Sequence, residues 1–327
     1  MGSKKLFCCL LVLVLMLVTA VGCKAPELTA IELVPQDANL IANIQVSKMI
    51  NDQDLKNAYD KTKKRPGQPQ TAEEALNEFT KKTGIDLRNF SQAIVFADIT
   101  TLKQARYLGV IAEGIFNEKQ FIDNIKDKAG KEFTTSDYKG YKLYVDKKEE
   151  FGIAFLSDRA LLLGTTKAVK DAIDVSKGDR RQVSGIILDT YNRLGDALIK
   201  FAFELPEEAR KALTTQKPAP ITIPVSLEPF ANIDIVGFAL NKEAESITIR
   251  INPHFTSTDS ARDAKNTLSG AISLLKVMLQ VPEIKALLGK MEVSVTDSWV
   301  TIAFEITTSE MERLIETFQR YQEAQLH

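Results

Sequence analysis

Apolar positions fall into three patterns along this chain: one unbroken run, several alternating stretches, and a few stripes spaced three or four residues apart. The unbroken run, Leu6 to Val21 (LFCCLLVLVLMLVTAV), follows Lys4 and Lys5 and ends in small residues at Gly22 and Cys23. That is the layout of a secretory signal. It is shorter than the ~20 apolar residues a membrane-spanning helix needs.

The alternating stretches predict strands. In the first half they are Leu40 to Val46, Ala93 to Ile99, Arg106 to Gly114, YKLYV, FGIAFLS and ALLLGT, with turns at Lys139-Gly140 and Ser157-Asp158-Arg159. In the second half they are Ala197 to Glu204, ANIDIVGFAL, ESITIRINP, KMEVSV and WVTIAFEIT. Helices are expected from an Asn51 or Asp52 cap to about Lys61, over Thr71 to Lys82 with a Thr71/Glu74 capping box, and after Asn117 with the stripe Phe121, Ile122, Ile125. Others are expected over Thr166 to Ser176, Pro206 to Leu213, Thr258 to Gln280, and from Thr308 to about Tyr321.

A Pro-containing break recurs in each half, KKRPGQPQ first and Thr214 to Phe230 later. The order of elements recurs with it. The expected fold is therefore α+β, with two similar β-α-β-β-α-β-β-α halves, mainly antiparallel sheets, and helices covering one face. SKGDRRQVSG marks the seam. The chain divides into a signal at 1–22, a tether at 23–33, and halves at 34–178 and 179–327.

Composition then removes chemistry. Without Lys4 and Lys5 the chain carries 42 − 2 = 40 basic residues against 43 acidic ones, so nothing attracts nucleic acid. The three Cys are Cys8, Cys9 and Cys23, and the two His are His254 and His327. A His/Cys metal site, a Ser-His-Asp triad and a Cys-His pair all lack parts, and no internal disulfide can form. No cofactor motif is present, whether a phosphate loop, GxGxxG, HExxH or GxSxG.

The nearest enzyme-like string is Ser273 to Lys276, an SxxK, with Lys82-Thr83-Gly84 elsewhere and a second SxxK at Ser136 to Lys139. Order and setting argue against the penicillin-binding arrangement, in which KTG follows SxxK on a strand. Asp52 and Asp54 suit helix capping better than a calcium loop, which needs Gly at its sixth position. Lys61, Lys63, Lys64 and Arg65 read as a solvated loop, Trp299 as a core or sheet-face residue, and His254 as a strand-end residue.

Two resemblances add to this. LVTAVGC (Leu17 to Cys23) resembles the lipobox of bacterial lipoprotein precursors, although Ala20 stands where Leu is usual. The resemblance implies a diacylglyceryl group on the Cys23 thiol and cleavage between Gly22 and Cys23, leaving Cys23 as the mature N-terminus. The rival readings are an ordinary signal cut after Gly22 or Ala20, and an uncleaved anchor. The body loosely resembles bacterial exported proteins that open with a Pro-x-Asp-Ala turn, here Pro35-Gln36-Asp37-Ala38; that implies an α+β fold and carries no activity.

The functional expectation is a non-enzymatic binding or scaffolding protein of the bacterial cell envelope, held through acylated Cys23 on the extracytoplasmic side of a membrane. Its partner is an envelope protein or an apolar ligand. A carrier of apolar ligands is suggested by the long helix Ala261 to Gln280, whose Ala271, Ile272, Leu274, Leu275, Val277, Met278 and Leu279 cover more than one stripe. The enzymatic alternative is a hydrolase using two facing carboxylates.

Overall fold

The alternation at Leu40 becomes the centre of the molecule. The computed structural model describes residues 29–62, 64, 67–100, 107–130, 132–215, 226–279, 281–314 and 317. In it, β1 (Leu40–Ile44) lies in the middle of one twelve-stranded antiparallel sheet. The first half adds β2 (Phe90–Ala97), β3 (Leu108–Gly114), β4 (Phe133–Tyr138), β5 (Tyr141–Asp146), β6 (Phe151–Phe155) and β7 (Ala160–Thr165). The second supplies β8 (Ile199–Glu204), β9 (Ile233–Glu243), β10 (Ser246–Phe255), β11 (Glu292–Thr296) and β12 (Trp299–Thr307).

The spatial order is β11-β12-β10-β9-β8-β1-β2-β3-β7-β6-β5-β4. Outward from the β1/β8 pair, the first half runs β1-β2-β3-β7-β6 and the second β8-β9-β10-β12-β11. The strand orders match, and the hairpin β4/β5 is the first half's addition. The two halves therefore have the expected likeness, but they share one sheet instead of holding one each. Leu40 opposite Phe203 and Ile44 opposite Ile199 close the join.

SKGDRRQVSG, expected as a seam, is pinned to the chain before β1. Gln36 N donates to Arg181 O at 3.1 Å, Val183 N donates to Val34 O at 2.7 Å, and Val183 is buried. Arg180 pairs with Asp37 of the Pro-x-Asp-Ala turn and, at 3.4 Å, with buried Asp171.

The helices are α1 (Val46–Asn51), α2 (Gln53–Lys61), α3 (Ala72–Thr83), α4 (Glu118–Ala129), α5 (Thr166–Ser176), α6 (Ile186–Arg193), α7 (Glu207–Thr215), α8 (Thr258–Met278), α9 (Pro282–Lys290) and α10 at 308–314. The expected caps form: Asp52 accepts from Leu55 N, Thr71 and Glu74 make the box, and Asn117 accepts from Gln120 N. Burial of Phe121, Ile122 and Ile125 seats α4 on the sheet.

Helices lie on both faces, where one covered face was expected. The central strands are apolar on both sides, so neither face can be left bare. On one face, α5 and α6 pack Ala168, Ala172, Ile173, Ile187 and Tyr191 over Ile41, Ile111 and Ala202. The other face carries α1 and α4 in the first half and α8, α9 and α10 in the second.

Candidate functional site

Cross-strand register on that second face builds a surface that no single segment reveals. Three rows cross the sheet from β3 to β10. The first runs Leu108, Ala97, Leu40, Phe203, Val236, Pro253; the second Val110, Val95, Ala42, Phe201, Phe238, Ile251; the third Ala112, Ala93, Ile44, Ile199, Leu240, Ile249. Every position is apolar.

Val110 and Ala112 on the first-half side, and Val236, Leu240 and Ile249 on the second, enter the buried clusters under the helices, but the middle of the rows does not. Leu40, Ala42, Val95, Phe201, Phe203 and Phe238 belong to none of the four buried clusters and are half-buried. Phe201 and Phe238 stack with centroids 4.9 Å apart, and Phe203 lies 6.0 Å from Phe201. This is an apolar floor with helical walls on two sides, offering no charged side chain within its rows.

One end of the floor is crossed by α1 and α2. Val46 and Ile50 of α1 pack in the first-half cluster. The chain then reaches the second half, where Lys242 of β9 stands two residues beyond Leu240 on the same face. The Lys242 ammonium, its side chain 3% exposed, bonds Asp52 Oδ2 at 2.8 Å, Asp54 Oδ2 at 2.9 Å and Ala244 O at 2.7 Å. At the far end of α2, Lys61 Nζ bonds Glu312 Oε1 of α10 at 2.9 Å.

Burial opposes charge on Lys242, but its bonds to Asp52 and Asp54 outweigh that and raise its value. Burial likewise opposes ionisation of Asp52, and the Lys242 ammonium with the Leu55 amide more than offsets it, lowering Asp52 below 3.8. Asp52 thus contributes stability above pH 3.8 that fades as pH falls through its lower folded value. Raising pH through the elevated Lys242 value removes the other partner. Hydrogen exchange of α2 amides, corrected for intrinsic rate, is expected to be flat from pH 5 to 8 and to accelerate below about pH 4 before the sheet does. Loosening of sheet and α2 together would contradict it.

The polar residues singled out in the sequence gather elsewhere or not at all. A bulge between His254 and Phe255 leaves Asp234 as the extra residue of β9, and its Oδ1 lies 2.6 Å from His254 Nδ1. Trp299 stands opposite His254 with ring centroids 4.4 Å apart, under the Arg193 guanidinium at 3.8 Å. Trp299 is a sheet-face residue, as expected, and among the described residues no hydroxyl bonds the His254 ring.

Glu204 is at the same rim, its carboxyl pushed up by burial and by Asp234 and Asp98. Of those acids, Asp234 is held by His254, and Asp98 accepts from Thr100 N at 2.9 Å and Asn39 Nδ2 at 2.8 Å.

Ser273 is exposed on α8 and donates to Ser269 O at 2.9 Å. Gly84 of Lys82-Thr83-Gly84 is the left-handed cap that ends α3. Ser136 lies on β4, while Lys139 pairs with Asp174 and Asp179, each at 2.6 Å. Lys61 is engaged with Glu312, and Lys64 lies over the Tyr59 ring at 3.9 Å, so neither offers a free basic patch. Lys63, Arg65, Gly22 and Cys23 lie outside the described residues.

The long helix does not supply the apolar surface as expected. Ile272 turns inward, while Val277 and Met278 are 81% and 50% exposed. Strands, not α8, make the floor.

No family model matches the chain, and no curated protein matches it. Solved structures do. Crystal form IV of TP0453 superposes with a TM-score of 0.50 at 9% identity, covering 90% of this chain and 99% of that one. Crystal form III gives 0.48 at 8%, covering 89% and 99%. At this identity the likeness to form IV shows a shared fold and nothing further.

Proposed function

We propose that this protein is a non-enzymatic envelope protein, anchored to a membrane through acylated Cys23, that holds an elongated apolar ligand on the floor of its sheet. The observation that carries the reading is the three unbroken apolar rows, half-buried in the middle where the described helices leave β1 and β8 open. A partly open, contiguous apolar surface of this kind is one that an apolar ligand would cover. From Cys23 to the first described residue, Thr29, is a reach of only ~20 Å at ~3.3 Å per residue. The body therefore works close to the surface that holds its anchor.

The test is binding of the fluorescent polyene cis-parinaric acid to the full-length protein in lipid nanodiscs, with empty nanodiscs subtracted. Phe201→Asp and Phe238→Asp put an unpaired carboxylate on the floor and are expected to weaken binding roughly tenfold or more. Ser273→Ala, on the exposed side of α8, is expected to change nothing. Equal binding by all four proteins would remove the floor as the site.

A further inference from the structure

We propose that α2, hinged on the packed α1, forms a strap that opens and closes one end of the apolar floor, with Lys242, Asp52 and Asp54 as its latch. The inference rests on the reading of the floor as a ligand site, and adds how access to it is controlled.

Three observations carry it. The strap crosses from the first-half wall to the second half at the third row, whose Leu240 lies two residues before Lys242 on β9. No residue of α2 is buried, nor any of α3 behind it, so neither helix is held down by a filled core. What joins α2 to the second half is instead a set of charge-assisted bonds at its two ends, Lys242 with Asp52 and Asp54 at the start and Lys61 with Glu312 at the finish.

The two ends are unequal. Lys61 is 67% exposed, and such pairs contribute little. Lys242 is almost wholly covered and saturated, its three bonds going to Asp52, Asp54 and the Ala244 carbonyl. Breaking the Lys242 end releases α2 without disturbing a packed interior. That is how a latch differs from a core contact.

The experiment uses the full-length protein in nanodiscs with two readouts: hydrogen exchange of the α2 amides, and the dissociation rate of cis-parinaric acid. Lys242→Met keeps the aliphatic stem and removes the ammonium. It is expected to speed α2 exchange roughly tenfold, as loss of a charge-assisted bond pair implies, with β2 and β3 unchanged. Probe dissociation should quicken by a similar factor. Asp52→Asn with Asp54→Asn tests the same latch from its exposed side should the Lys242 variant fail to fold.

Residues 24–327 contain no cysteine, so Lys61→Cys and Glu312→Cys can be bridged by a short bismaleimide, which should slow the probe. Wild-type exchange in α2 of the latch variants overturns the latch. Faster α2 exchange with unchanged probe rates overturns its control of access while leaving the latch standing. A wild type that binds no probe overturns the floor as a ligand site, and the gate with it.

Discussion

Gly164→Ala is expected to destabilise the protein by about 3 kcal/mol or more, enough to leave much of it unfolded during expression. Gly164 sits in β7 at φ 144°, a conformation side chains rarely adopt, and a Cβ there would lie 2.2 Å from Leu108 O and 2.8 Å from Gly109 Cα. Both obstacles are backbone of β3, paired on its far side with β2, so neither can step aside. Gly109 is itself roofed by the Phe96 ring, which a Cβ at that position would strike at 2.1 Å.

Gly130 provides the contrast. It has φ 61° but open space around it, so Gly130→Ala should cost only ~1 kcal/mol. Urea midpoints of the two variants measure the difference. If Gly164→Ala unfolds within 0.5 kcal/mol of Gly130→Ala, the close approach of β3 and β7 is not as described.

Cys23→Ser is expected to abolish acylation and the cleavage that follows it. The proposed anchor is two or three acyl chains on one residue; each buried CH₂ adds ~0.8 kcal/mol, and a single chain holds only marginally. Removing the thiol that accepts the diacylglyceryl group takes all of them away, so the precursor should stay uncut or a small fraction of protein should escape in soluble form. Cys8→Ala and Cys9→Ala should behave as wild type. Incorporation of radiolabelled palmitate, followed by detergent partitioning of the four proteins in a bacterial host, reads this directly. Water-soluble, unlabelled wild-type protein starting elsewhere than Cys23 would leave an ordinary signal peptide as the reading.

Much of the fold was legible because local signals were strong. Asp52, Thr71 and Asn117 announce helix starts by a side chain that can reach an orphan amide, and all three do so. Lys139-Gly140 and Thr296-Asp297-Ser298 punctuate hairpins, with Lys139 and Asp297 at positive φ. What escaped had weak local signals. β4 (FTTSDY) is an edge strand with little apolar content, held by register against β5. α6 buries Ile187, Thr190 and Tyr191 in only two turns, directly after the stretch SKGDRRQVSG whose Gly, Ser and charges suggested a seam. α9 begins at Pro282 and follows so closely on α8 that one helix ending at Gln280 was the simpler reading.

The site was less legible for a different reason. Runs such as AIVFA and IVGFAL are apolar on both pleats, and no periodicity tells whether each side meets a helix or stays open. The rows exist only after six strands are placed in register. Nor could capping, the reading given to Asp52 and Asp54, reveal Lys242, which lies 190 residues from Asp52 and 188 from Asp54.

The pairing of β1 with β8 also governs how the chain must fold. Ile44 meets Ile199, 155 residues later, and this join is the middle of the sheet instead of its edge. Loop-closure entropy of that length is met before the central contacts reward it, so the last step of assembly is expected to be slow relative to the hairpins on either side. Until it closes, each half carries a strand, β1 or β8, with one edge unpaired and ready to pair with another molecule. Under the proposed export, N-terminus first, the β1 edge would wait for the chain between Ile44 and Ile199 to emerge before β8 could cover it. A holding chaperone on the far side of the membrane is the class of helper whose removal such a topology would feel most.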